Sequence, residues 1–267
     1  MLNALGVCLV YTAACLSLGM ALMDVIGVPR VKWHNFSAAA LIATALLLGQ
    51  GLLGNLWLIL GLVGRFSLPL IIGLLGLCLL IGAGVVRKEL GNLSRDLMRQ
   101  VVHHLSGQPS SIRIVAVLAL MMMALLGIFN AILPVRFGAG DGIFFYMVLP
   151  KVMAASGRVL PVSGYEYTHS ISGFLGEMHH AALLALSGEQ AALLYVWVTT
   201  VSMLALLVGL CGHLGVGRTG KWVAVAMMLS STTVGFYLSD GKVDLFAAAM
   251  GMAALYWAVH SDGSDAR

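Results

Sequence analysis

Long uncharged apolar runs alternate with short polar stretches along this chain. The runs cover residues 2–23, 36–64, 66–86, 114–134, 191–210, 222–238 and 245–259. A helix needs about 20 largely apolar residues to cross a bilayer, and most of these runs reach that length. The pattern predicts an all-α, polytopic integral membrane protein with about seven transmembrane helices. Residues 36–64 suit one tilted helix or a helix with an interfacial turn. The last run is short, and Val243 and the first residues of the tail would lengthen it.

Two polar stretches break the pattern. The first, residues 87–113, is the most basic in the protein; Leu90, Leu93, Leu97, Val101 and Leu105 recur in it at helical spacing, predicting a segment that lies partly flat on the membrane. The second, residues 135–190, is one large loop holding Asp141, Lys151, Arg158, Glu166 and Glu177 among several Tyr and His residues. Its GAGDG turn predicts a bend, and Phe144, Phe145 and Met147 predict a short re-entrant or interfacial helix running to Pro150. Glu177 then opens EMHHAALLAL, which reads as a helix packing back toward the membrane. The chain divides on this basis into a three-span bundle with a basic loop (residues 1–113) and a core carrying the large loop (residues 114–267).

Composition agrees with the pattern. Only 10% of the 267 residues are charged and 60% are hydrophobic, where a soluble domain would carry about 25% charged residues. The formal charge of +4 requires no nucleic-acid partner, because Lys and Arg cluster in short loops as orientation signals do. Ten of the fifteen basic residues fall in residues 24–35, 87–113, 213–221 and the tail, so those segments are expected on the cytoplasmic side of a bacterial cytoplasmic membrane. The N-terminus, residues 135–190 and the SDGKVD turn are then extracytoplasmic. The N-terminus lacks a basic leader region and reads as a retained span. Cys8, Cys15, Cys78 and Cys211 lie in or beside apolar runs, without metal-ligand or disulfide spacing, and read as small core residues.

The candidate chemistry gathers at the outer face. Asp141, partly desolvated beside a span, reads either as a proton acceptor or as a solvated helix cap. Arg136, Lys151 and Arg158 place positive charge nearby, suited to a phosphate or to snorkelling toward lipid headgroups. Tyr165 and Tyr167 can stack on a sugar ring, though interfacial tyrosines are ordinary. Asp244, at the mouth of the last span, is a candidate ion-pair partner for Lys242 or Lys151. His103–His104 and His179–His180 lack metal-site spacing, so no metal site is expected.

The series DGIFFYMVLPK, SGRVLP and GEMHHAALLALSGEQAALL resembles the bacterial polytopic glycosyltransferases of the GT-C superfamily. The resemblance implies that Asp141 is the acidic catalytic residue. Pro150 and Lys151 take the place of the Pro-Lys step, Phe145-Tyr146 stands where the family has an aromatic-His pair, and Glu177 takes the place of the Glu of Glu-Met. Asp244 in GKVDLFAAAMGMAAL matches a later span-opening Asp. The implied activity is inverting transfer of a sugar from a polyprenyl-phosphate donor to an acceptor at the extracytoplasmic face. Substrate contacts would come from Lys151, Arg136, Arg158, Tyr146, Tyr165, Tyr167, Glu177 and Asp244. No cofactor is expected, a divalent metal is left open, and no nucleotide-binding loop is present. Partners are the lipid-linked donor and membrane lipids, with no nucleic acid. Family members have about eleven or more spans, so this chain corresponds to their N-terminal half. The alternative is a non-catalytic, truncated or split relative that binds lipid or a partner chain supplying the missing helices. A small transporter ranks last, because nearly all charges lie at span ends.

Overall fold

The computed structural model describes residues 2–26, 37–105, 111–132, 146–161, 164, 175–240 and 242–262. In chain order the helices are α1 Leu2–Val25, α2 Ala38–Leu62, α3 Leu68–Leu105, α4 Ser111–Ile132, α5 Val148–Ser156, α6 Leu175–Leu186, α7 Glu189–His213, α8 Arg218–Ser230, α9 Thr232–Asp240 and α10 Asp244–Asp262. No strand occurs among the described residues. Among the described residues three helices, α1, α2 and α7, are long and apolar enough to cross a membrane. The chain is thus an α-helical membrane protein, and its exposed Leu9, Ile59, Leu80, Met122 and Met227 are ordinary for a surface that meets lipid.

Helices dominate for a simple reason. In a lipid core every backbone N–H and C=O must find its partner within the segment, and a helix achieves this alone. What brings helices together there is close packing and hydrogen bonding, since lipid is as apolar as leucine. Small residues permit that packing. A Cβ placed on Gly19 of α1 would stand 1.7 Å from the Ala45 carbonyl oxygen of α2, and one on Gly49 of α2 would stand 1.8 Å from the Cys15 carbonyl oxygen. Ser17 of α1 fills the equivalent space over Gly82 of α3.

These contacts fix the directions of the helices. Gly19 of α1 meets Ala45 of α2, while Tyr11 meets Trp57, so α1 and α2 are antiparallel. Tyr195 near the start of α7 bonds Cys15, and Gly209 near its end packs on Ala40 at the start of α2, so α7 also runs antiparallel to α2. Phe246 of α10 lies beside Tyr195 and Tyr256 beside Gly209, which sets α10 parallel to α7. The starts of α1, α7 and α10 therefore share one end of the bundle with the finish of α2. The larger of two apolar clusters takes Tyr11, Trp57 and Ile71 from the first three helices and Met153, Met178, Tyr195 and Phe246 from the later ones.

Three local expectations change. The basic stretch after residue 86 is no separate surface helix, because α3 continues unbroken through it to Leu105. No proline interrupts residues 70–108, and proline is the residue that most reliably breaks a helix. Of the short helix expected over Phe144, Phe145 and Met147 to Pro150, Phe144 and Phe145 lie outside the described residues, and a helix runs from Val148 past Pro150 to Ser156. Pro150 lies in its first turn, where a missing N–H costs nothing. The apolar run at residues 222–238 is two helices, parted at Ser231, whose backbone is extended (φ −63°, ψ 121°). The neighbouring Ser230, Thr232 and Thr233 carry hydroxyls that compete for backbone hydrogen bonds.

Candidate functional site

The α6 helix organises the polar interior. It lies between α2, α5, α7 and α10, and the consecutive residues Gly176 to Leu183 are all buried. A helix buried on every side is expected to be apolar throughout, yet this one carries Glu177, His179 and His180. Its approach to α10 requires Gly176, where a Cβ would stand 2.4 Å from the Val243 side chain.

Glu177 is 3% exposed, and its Oε2 has no hydrogen-bond partner among the described residues. Burial is the main reason its carboxyl is pushed up to about 7; its own backbone N–H works against this, and the negative charge of Asp244 adds to it. Asp244 opens α10, accepts a hydrogen bond from the Tyr146 hydroxyl, and keeps Oδ2 buried without a partner. Burial raises the Tyr146 phenol, with Asp244 adding to the rise, Lys242 opposing it and Glu177 adding further. Lys242, 8% exposed, also sits over the Tyr237 ring at 4.8 Å. Residues 146, 177 and 244 thus reach one spot from three separate segments. Two carboxylates there each hold an acceptor oxygen that the protein leaves unsatisfied, which is rare for buried polar atoms.

Of the expected cations, Lys151 and Arg158 lie among the described residues, and each has other neighbours. Lys151 on α5, one of the two expected partners of Asp244, pairs with Glu189 in the first turn of α7 at 2.5 Å; the other, Lys242, lies in the segment beside Asp244. Arg158 is exposed and folds over the turn after α2, its Nε 2.8 Å from where a Gly64 Cβ would be. That turn is tied to the finish of α5 by backbone hydrogen bonds from Phe66 to Gly157 and from Val159 to Gly61. Gly64 and Gly157 both take left-handed φ values, 68° and 72°, which glycine adopts without strain. Asp141, Arg136, Tyr165 and Tyr167 lie outside the described residues.

A second polar feature runs through the core. The Trp57 indole N–H donates to the Tyr11 hydroxyl at 2.7 Å. Tyr11 and His179 Nδ1 are 2.6 Å apart, and His179 Nε2 lies 2.9 Å from the Gln50 carbonyl oxygen. A carbonyl only accepts, so Nε2 carries the proton and Nδ1 accepts from Tyr11. The Gln50 side chain continues the chain by donating to Thr199 Oγ1 at 3.1 Å. Burial lowers His179 to about 3, with the Gln50 hydrogen bond opposing this and His180 adding to it. Phe246 stacks on the His179 ring at 5.6 Å. His180, lowered to about 4 by burial, has no partner for either ring nitrogen.

This network is what reading the sequence misses. Its only signals are polar residues placed inside apolar runs, Gln50 above all. Among the described residues no group of three or more His, Cys, Asp or Glu side chains could hold a metal ion. Comparison with protein-family models, curated proteins and solved structures returns no match.

Proposed function

We propose that this chain is a membrane glycosyltransferase that moves a sugar from a polyprenyl-phosphate donor to an acceptor at the membrane face holding Tyr146, Glu177, Lys242 and Asp244. The observation that carries the reading is the convergence of Glu177 and Asp244, each with an unsatisfied buried oxygen, beside the Tyr146 hydroxyl. Such acceptors suit the hydroxyls of a sugar, which donate hydrogen bonds. The motif series that resembles GT-C enzymes supplies the reaction class.

In this reading the acceptor oxygen attacks the anomeric carbon and its proton passes to Asp141. The bond from that carbon to the lipid phosphate breaks, and the phosphate leaves with the electron pair. Glu177 and Asp244 hold the sugar by accepting from its hydroxyls, and Lys242 supplies positive charge beside Tyr146. Lys151 meets the leaving phosphate by exchanging Glu189 for it. The extracytoplasmic setting and the seven-span topology belong to the same proposal.

The test is transfer of labelled sugar from a panel of polyprenyl-phosphate donors by the purified protein. Asp141→Asn should lower turnover about 10²- to 10⁴-fold, the usual contribution of a general base. Glu177→Gln and Asp244→Asn should each raise KM more than they lower kcat. A folded wild-type preparation inactive with every donor sinks the reading.

A further inference from the structure

At the far end of the bundle from these carboxylates lies a cavity of about 800 Å³. Its length follows α7 from Trp197 to His213, with Val201, Leu204 and Val208 among its apolar walls. Sixteen residues of helix rise about 24 Å, a large part of a hydrocarbon core about 30 Å thick. Its cationic and imidazole groups gather at one end. The Lys221 ammonium comes within 3.2 Å of where a Gly212 Cβ would be, and the His213 and His260 rings stand 3.8 Å apart. That end is where α7 finishes, where α8 begins with Arg218, and where α10 nears its own finish. None of the described lining residues is acidic. Trp222, beside Lys221, also keeps a buried indole N–H with no acceptor among the described residues, as does Trp197 at the opposite end.

We propose that this cavity binds one anionic glycerophospholipid, with one acyl chain along α7 and its phosphate against Lys221 and His213, beside His260, whose Nδ1–H is taken by the Tyr256 carbonyl at 2.8 Å. An apolar tube whose cationic and imidazole side chains lie only at its mouth matches an amphiphile with a negative head. A zwitterionic lipid brings a second, positive charge to a mouth that already has its own. The ester and phosphate oxygens of the lipid are acceptors, which is the kind of group that Trp222, next to Lys221, lacks.

The full chain, purified in mild detergent and stripped of lipid, is titrated with dioleoylphosphatidylglycerol, dioleoylphosphatidylcholine, undecaprenyl phosphate and inorganic phosphate. Binding is read by native mass spectrometry and thermal unfolding. The proposal expects the anionic glycerophospholipid to bind at least about tenfold more tightly than the zwitterionic one, and phosphate alone to leave the melting temperature unchanged. The paired variant Lys221→Ala/His213→Ala should remove that preference, a loss that hydrogen bonds to a charged group readily supply. Val201→Trp should expel the lipid by filling the tube while leaving the head groups in place. Equal affinity for both glycerophospholipids, tighter binding of undecaprenyl phosphate, or a preference unchanged in a folded Lys221→Ala/His213→Ala protein would each overturn it. If the paired variant fails to fold, Lys221→Gln alone provides the same comparison.

Discussion

The Tyr11 hydroxyl donates to Nδ1 of His179 at 2.6 Å, although 168 residues separate the two in the chain. Because Trp57 donates to that same hydroxyl and His179 donates onward to the Gln50 carbonyl, α1, α2 and α6 are joined through one tyrosine. Trp57, Tyr11 and His179 each donate to the next group in the row, so removing Tyr11 leaves both the Trp57 N–H and His179 Nδ1 buried without that partner.

Tyr11→Phe should therefore cost about 1–3 kcal/mol, the usual penalty for stranding a buried polar group. Thermal unfolding in detergent measures it. A double-mutant cycle with Trp57→Phe should show coupling, because the second substitution removes the donor that the first one strands. Strict additivity would mean that the two residues do not share the hydrogen-bonded row.

Glu177 should make stability depend on pH. Its folded carboxyl is raised to about 7 from an ordinary 4.5, so between those values the folded protein holds a proton that the unfolded chain has released. Stability from this group is fully present below about 4.5, falls as pH rises, and is lost by the time pH passes 7. At about 1.4 kcal/mol for each pH unit, the loss is on the order of 3 kcal/mol. Glu177→Gln should remove that fall, and the difference in melting temperature between wild type and variant across pH 4.5–7.5 measures it. A constant difference at every pH would rule out the raised carboxyl.

The α1–α2 crossing should tolerate no added methyl at its tightest point. Gly19→Ala places a Cβ against the Ala45 carbonyl, and the helices must separate, at a cost of about 3 kcal/mol or more. Gly51→Ala, in the same helix pair but with nothing within 4 Å, should be neutral or stabilise by about 0.5–1 kcal/mol. Size-exclusion profiles and melting temperatures of the two variants make the comparison.

Lys151 and Glu189 should matter for catalysis more than for folding. Their side chains are 44% and 33% exposed, and exposed ion pairs contribute only about 0–1 kcal/mol. Under the transferase proposal, Glu189→Gln frees Lys151 for the donor phosphate and lowers the donor KM severalfold at unchanged kcat. Lys151→Ala raises that KM. Unchanged kinetics in both variants would remove Lys151 from the donor site.

Much of the architecture was legible in the sequence because a helix in lipid satisfies its hydrogen bonds locally. The runs at residues 2–23, 36–64 and 191–210 became α1, α2 and α7 within a few residues. Asp244 was expected on the same side as the large loop, and its hydrogen bond with Tyr146 brings it to residues of that loop. The burial of the EMHHAALLAL helix was likewise readable from its apolar content, although its function as the hub of the polar core was not.

Composition and periodicity by themselves determined that this is a helical membrane protein, and motif order suggested where its polar chemistry gathers. Only the tertiary structure decided the partners: Lys151 with Glu189 instead of Asp244, Glu177 beside Asp244, and Tyr11 with His179. The physical reason is that backbone bonds form within a helix, whereas side-chain pairs depend on each helix's rotation and on its crossing with its neighbours. Those are set by contacts such as Gly19 on Ala45, between residues that lie far apart in the chain.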